Sequence, residues 1–205
     1  MIFHHVLDQV FSTWSHIAVL RALQDYAQGI TGREIARASQ MNHRSCLKAL
    51  GRLEDLGVVV RLRGGRDHLF SLNRNHVLVT EGIIPLVKLE RGFFESLTKL
   101  LTKELGPLAE SLILFGSVAK KTETAQSDLD LCIVLANGTR KLTARKRLES
   151  LAPLIRRKYG ANLAPFFLSR SEFLQRAKKR HPPVSSIVKE GIVIAGKPLE
   201  ELTRG

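Results

Sequence analysis

Acidic residues, cysteine and tryptophan are all scarce in this chain. Its 205 residues include 19 Asp and Glu against 32 Lys and Arg, two Cys and one Trp. The cysteines, Cys46 and Cys132, lie far apart and have neither CxxC nor His-ligand spacing. That excludes a disulfide-stapled scaffold and a zinc framework, and leaves two small buried thiols as the reading. No apolar run approaches the roughly 20 residues a membrane helix needs. Met1 leads into His4, His5 and Asp8 without a basic segment followed by an apolar one, so no secretory signal is expected. The expectation is a cytoplasmic protein with no membrane partner. What is present suits a globular chain, with 44% hydrophobic and 25% charged residues. The net charge of +13 favours a polyanionic partner. The excess is spread along the chain, with +4 in residues 1–80 and +9 in residues 81–205.

In "SHIAVLRALQDY", residues 15–26, Ile17, Leu20 and Leu23 share a helical face with Val19 beside them. Thr31 and Glu34 have the spacing of a capping box, and open a short helix over Gly32–Ser39 that buries Ile35 and Ala38. After the turn "QMN", Leu47, Leu50, Leu53 and Leu56 recur at helical spacing up to Gly57. Two β-rich runs, "VVVRLR" and "HLFSLN", then flank "GGRD", where Gly64-Gly65 supplies the positive φ angles of a tight hairpin. Helix, helix, turn, helix, hairpin over roughly residues 12–73 resembles the winged helix-turn-helix of bacterial and archaeal regulators. The resemblance implies DNA as partner. His43, Arg44, Ser45 and Lys48 would face the major groove, and Arg61, Arg63 and Arg66 of the wing would meet phosphates or a minor groove. Winged helices also serve as protein-interaction modules, so that alternative stays open.

Residues 81–105 read as one long helix, about 37 Å at about 1.5 Å per residue, with Pro85 tolerated near its first turns. Ile84, Val87, Leu89, Phe93, Phe94, Leu97, Leu100 and Leu101 give it a broad apolar face, which could pack on its own chain or form a homodimer seam.

"LILFGSVAKKTETAQSDLDLCIVL", residues 112–135, sets two carboxylates in an apolar strand pattern. Alternation puts Asp128 and Asp130 on one strand face, their Cα atoms about 6.5–7 Å apart. Burying an unpaired carboxylate costs several kcal/mol, so two of them call for a partner. Mg²⁺, a hard cation that takes oxygen ligands, suits them. Gly116 lets backbone N–H groups approach a phosphate, and the Ser117 hydroxyl adds a donor.

Gly116-Ser117, ten residues, then Asp128-x-Asp130 resembles the active-site signature of minimal nucleotidyltransferases of the DNA polymerase beta superfamily, over about residues 106–197. The resemblance implies a small mixed sheet flanked by helices. It also implies transfer of a nucleoside monophosphate from an NTP to a hydroxyl. Asp128 and Asp130 would be the catalytic, metal-holding pair for Mg²⁺ or Mn²⁺. Gly116, Ser117, Lys120 and Ser127 would hold the nucleotide. The pattern departs from the family in three places, one being that the C-terminal half offers no obvious acceptor-binding pocket beyond its basic segments. A third carboxylate is expected on a later strand, which here reads Asn162-Leu163-Ala164-Pro165-Phe166-Phe167-Leu168, and Glu123 and Glu172 are poorly placed substitutes. Lys120-Lys121 stands where the family has Arg-Gly.

The expected fold class is therefore α+β. Residues 1–80 would form a winged helix-turn-helix, residues 81–105 a connecting long helix, and residues 106–205 a nucleotidyltransferase-like domain. Basic segments at residues 140–158 and 176–180 read either as solvated helix faces, with Leu142, Leu148, Leu151 and Leu154 turned inward, or as a polyanion surface. Two functions follow. One is a nucleotidyltransferase with a DNA-binding winged helix, whose acceptor is a protein hydroxyl, an RNA end or a small molecule. The alternative is a DNA-binding regulator whose nucleotidyltransferase fold senses nucleotide or dimerises.

Overall fold

The computed structural model describes residues 2–64 and 67–204. The chain divides into two compact units, Met1–Phe93 and Phe94–Gly205.

The first unit opens with α1 (Val6–Val10) and α2 (Trp14–Leu23), followed by β1 (Ile30–Thr31), α3 (Gly32–Ala38) and α4 (His43–Asp55). β2 (Val59–Gly64) and β3 (Asp67–Leu72) make the hairpin, and β1 adds to β3 in a three-stranded sheet of order β1-β3-β2. The expected capping box starts α3: Thr31 N–H donates to Glu34 Oε2 at 2.8 Å, and Glu34 N–H donates to Thr31 Oγ1 at 3.3 Å. The inward stripe of α4 is Cys46, Ala49, Leu50 and Leu53. Leu47, read as inward from its spacing, sits one position off that stripe and is exposed; Ala38 is likewise exposed, and Ala36 is buried in its place. Val19, Leu20, Leu23, Ile35, Val58, Phe70 and Val79 complete one core.

The connecting segment is helical from Leu78. A π-helical turn, Leu78–Ile83, precedes α5 (Ile84–Leu105). Proline has no N–H to donate, and its ring crowds the carbonyl four residues back, here that of Glu81, so the ladder widens ahead of Pro85. In the first unit Ile84 and Val87 join the core, Arg21 makes a two-pronged ion pair with Glu90 at 2.6 and 2.7 Å, and Arg91 pairs with Asp25. In the second unit Leu97, Leu101 and Leu105 are buried. Leu89, Phe93 and Phe94 are exposed, so the apolar face expected for this helix is covered only at its two ends.

The second unit is built on β4 (Ala109–Leu114), α6 (Gly116–Lys120), β5 (Leu129–Leu135), α7 (Lys141–Tyr159), β6 (Leu163–Leu168), α8 (Arg170–Lys178), α9 (Val184–Glu190), β7 (Ile192–Gly196) and α10 (Leu199–Thr203). The sheet order is β6-β5-β4-β7. β5 and β6 are parallel, while β4 is antiparallel to both β5 and β7, which makes the sheet mixed. Alternation sends Leu129, Leu131 and Ile133 to one face, against α5 and α7, and Cys132 and Val134 to the other, against Phe173 of α8 and Val184 and Ile187 of α9. The inward stripe of α7 is Ala144, Leu148, Leu151 and Ile155. Leu142 and Leu154 lie beside that stripe and are exposed, contrary to the spacing argument.

Candidate functional site

β5 begins at Leu129, so Asp130 is its second residue and Asp128 stands just ahead of it. Asp128 is exposed and Asp130 half-buried, on the face that carries Cys132. The carboxylates sit closer to water than a buried-strand reading requires, because the strand starts at the lip of the sheet. Burial, and then the charge of Asp128, push the Asp130 carboxyl above the ordinary range.

Gly116 lies across from this pair. It opens α6 with φ of +70°, and Phe115 N–H donates to the Asp130 carbonyl at 3.1 Å. A Cβ on Gly116 would stand 1.9 Å from Asp130 Oδ2, so only glycine fits. Gly116 and Asp130 are therefore in contact, and Ser117 follows at the same turn, half-buried. Ser127 shapes the approach to the pair: its hydroxyl accepts from Thr124 N–H at 2.9 Å and closes the turn ahead of Asp128. Lys120 is turned away to α9, where its ammonium meets Glu190 at 2.8 Å and holds that carboxyl below its usual value.

The parallel register puts Ala164 opposite Asp130, and Leu129 N–H donates to the Asn162 carbonyl at 2.8 Å. The position beside Asp130 where a third carboxylate would stand is thus a methyl group. Glu172 is committed elsewhere, its Oε2 accepting from Ser169 N–H at 2.7 Å and Oγ at 2.9 Å. Among the described residues no cluster of three His, Cys, Asp or Glu side chains could hold a metal ion. The fit to a divalent cation rests on two carboxylates that repel each other and on a glycine cradle that a side chain would fill.

In the first unit, His43, Arg44, Ser45 and Lys48 are all exposed on α4, Arg44 and Lys48 opposite its buried stripe and His43 and Ser45 on the flanks of that stripe. Arg61 is held by Glu54 at 2.5 Å and lies 5.3 Å from the Phe70 ring centre. Arg63 belongs to β2, and Arg66 lies outside the described residues.

Residues 97–194 match the family model described as "Nucleotidyltransferase domain", and residues 15–60 the one described as "Winged helix-turn-helix DNA-binding". The chain is a winged helix-turn-helix followed by a nucleotidyltransferase domain. No curated protein matches it. Among solved structures, NadR in complex with 4-hydroxyphenylacetate is 24% identical, covering 48% of this chain and 70% of that one, with a TM-score of 0.38. A toxin–antitoxin with AMP-PNP is 18% identical over 53% and 79%, with a TM-score of 0.36. The Staphylococcus aureus MepR–DNA complex is 20% identical over 48% and 87%, with a TM-score of 0.33. Scores this low carry no argument about the nucleotidyltransferase or the winged helix. The expected α+β fold and the fusion of these two domains are borne out by the family matches and by the mixed sheet. No helix is long and apolar enough to cross a membrane among the described residues.

Two features of the nucleotidyltransferase domain escape a reading of the sequence. The pairing of Asp130 with Ala164 depends on strand register, which composition does not encode. The Lys120–Glu190 pair joins residues 70 positions apart, with no local signal at either end.

Proposed function

We propose that the C-terminal domain transfers a nucleoside monophosphate from an NTP to a hydroxyl acceptor, with Mg²⁺ or Mn²⁺ held by Asp128 and Asp130. The observation that carries this reading is the contact of Gly116 with Asp130. A positive-φ glycine pressed against a carboxylate keeps a phosphate-binding turn and a cation-binding side chain within reach of each other. When bound, the cation would neutralise the two carboxylates and polarise the phosphate oxygens. Backbone N–H groups at the Gly116 turn and the Ser117 hydroxyl donate to the triphosphate. The Thr124–Ser127 turn holds Asp128 next to Asp130. In the transfer, the acceptor oxygen bonds to the α-phosphorus as the bond from that phosphorus to pyrophosphate breaks. Pyrophosphate leaves with the electron pair, and the hydroxyl proton passes to water. Incubation with labelled NTP, Mg²⁺ or Mn²⁺ and cell extract tests this. Label on an acceptor, lost in the double variant Asp128→Ala with Asp130→Ala, is expected; no label on protein, RNA or small molecules sinks it.

A second reading has its own support. Ala164 stands opposite Asp130, and Lys120 is drawn to Glu190. Both favour a DNA-binding regulator in which the nucleotidyltransferase fold binds nucleotide without transfer and the exposed face of α4 enters the major groove. DNA half-sites recur about one turn apart, so this reading includes a homodimer on its operator. It expects DNA affinity that falls steeply with salt and survives the double Asp→Ala change. Failure to select any sequence from a random duplex pool would overturn it.

A further inference from the structure

β6 is an edge of the second sheet, and beside it lies a groove of about 380 Å³ lined by Lys141, Arg145, Phe166, Phe167, Glu172 and Arg176, together with Pro165 and Leu168 of β6. We propose that this groove takes a single strand of nucleic acid and delivers its terminal 3′ hydroxyl to the site at Asp128 and Asp130. The proposal names the acceptor of the transfer reading and, in that part, rests on it.

Register ties the groove to the site. Asp130 pairs with Ala164, and Cys132 pairs with Phe166. In a parallel pair these side chains share a face, so Phe166 lies two residues, about 6.6 Å, along β6 from the residue beside Asp130. The Arg176 guanidinium stands 5.7 Å from the Phe166 ring centre. An aromatic ring with an arginine over it is a platform on which a base of any identity stacks.

The charge of the groove fits a polyanion. Lys141 and Arg176 make no ion pair among the described residues. Its one acid, Glu172, caps α8 and stays ionised, held below the usual carboxylate range by Ser169 and then by Lys141 and Arg176, and Arg145 pairs with Glu149 outside the groove, so the three lining cations still outnumber the one lining acid. α8 begins two residues after the end of β6, Arg176 of α8 reaches the Phe166 ring, and Lys178, Lys179 and Arg180 follow it in the chain. Those three are exposed as well. Residues 94–205 as a whole carry 20 Lys and Arg against 11 Asp and Glu.

A peptide added as a further strand is the competing occupant, and the backbone argues against it. Leu129 N–H donates to the Asn162 carbonyl, which sets the even-numbered residues of β6 toward β5 and the odd-numbered ones outward. The middle residue of that outward row is Pro165, which has no N–H to offer a new strand. Side chains, not the strand edge, make this surface.

Binding of fluorescein-labelled 12-nucleotide RNA and DNA strands to the full chain, read by anisotropy without NTP, tests the groove. Lys141→Gln with Arg176→Gln changes two exposed side chains. It is expected to weaken single-strand binding about tenfold and to lower the slope of log K against log salt by about 1.4, at about 0.7 per lost phosphate contact. Phe166→Leu, which keeps an apolar side chain in place, is expected to weaken it at least fivefold through lost stacking. Duplex DNA binding stays as it was in both. Single-strand affinity unchanged by these variants, or lost only when Arg44 and Lys48 become Gln, overturns the proposal. Labelled NTP with Mg²⁺ or Mn²⁺ then separates it from the reading beneath it. Label at the end of the RNA or the DNA supports both and identifies the strand. Label on a protein or a small molecule, with no groove-dependent strand binding, overturns this proposal and leaves transfer standing. Groove-dependent binding with no label on any acceptor overturns transfer, and with it the acceptor role.

Discussion

Asp130 is under strain from its surroundings, and that makes it a test of function against stability. Its carboxyl is pushed up by desolvation and by Asp128, so the folded protein holds that proton more tightly than the unfolded chain. Its contribution to stability is fully present below the unfolded value of about 3.9 and is lost as pH rises through the folded value. At neutral pH the charged Asp130 therefore works against the fold. Asp130→Asn is expected to raise the Tm measured in chelator at pH 7 by about 1–3 °C, a gain kept small because the site is open to water. The gain should vanish at acid pH, and Mg²⁺ should raise the wild-type Tm while leaving the variant's unchanged. A variant that melts lower in chelator would show that Asp130 is held by a favourable contact instead. Gly116→Ala is the companion change. It sets a Cβ against Asp130 Oδ2 at a positive φ, which for a non-glycine residue costs about 1–2 kcal/mol before the clash is relieved. Isothermal titration should find NTP binding reduced at least tenfold, with the far-ultraviolet spectrum unchanged.

Elements with local signals were legible in the sequence, and those that depend on long-range register were not. The start of α3 could be read because Thr31 and Glu34 act within a few residues of themselves, while Gly65 of the expected hairpin turn lies outside the described residues. "LILF", Gly116 and Asp128-x-Asp130 could be read for the same reason. β1 carries no local signal, because a two-residue strand, Ile30–Thr31, has no periodicity. The π-helical turn carries no signal of its own, because Pro85 acts on the residues before it. Glu172 is a poorly placed metal ligand because Ser169-x-x-Glu172 has the same capping-box spacing as Thr31-x-x-Glu34, and the structure uses it that way. Among the described residues each unit thus has one such capping box, and each can be weakened separately. Thr31→Ala should remove about 1 kcal/mol from the first unit. Glu34 adds a pH signature. Hydrogen bonds from the Thr31 backbone and hydroxyl hold its carboxyl below the ordinary range. That contribution is present above the unfolded value of about 4.3 and is lost as pH falls through the lower folded one. Chemical denaturation of Glu34→Gln should therefore flatten the acid limb of the stability profile, while Ser169→Ala leaves the acid limb of the first unit intact.

At the scale of the whole molecule, each unit buries one thiol, Cys46 in the core of the first and Cys132 on one face of the sheet of the second. Cys46 is fully buried in the first unit, with its Sγ 3.7 Å from the Gly32 carbonyl, and Cys132 is fully buried in the sheet of the second. Burial pushes the first up to about 11 and the second up to about 12. Both stay protonated through the neutral range, and the stability each contributes is lost as pH rises from about 8.5 through those folded values. Neither thiol can react until its own unit opens, so alkylation reports two openings in one chain. In a urea series pulsed with iodoacetamide at pH 8 and read by mass spectrometry, we expect Cys46 and Cys132 to be labelled with separate midpoints. Thr31→Ala should move the Cys46 midpoint to lower urea and leave that of Cys132 where it was. A single midpoint that shifts for both thiols at once would mean that the winged helix and the nucleotidyltransferase domain unfold as one cooperative body, and that changes in either domain must be read as changes in both.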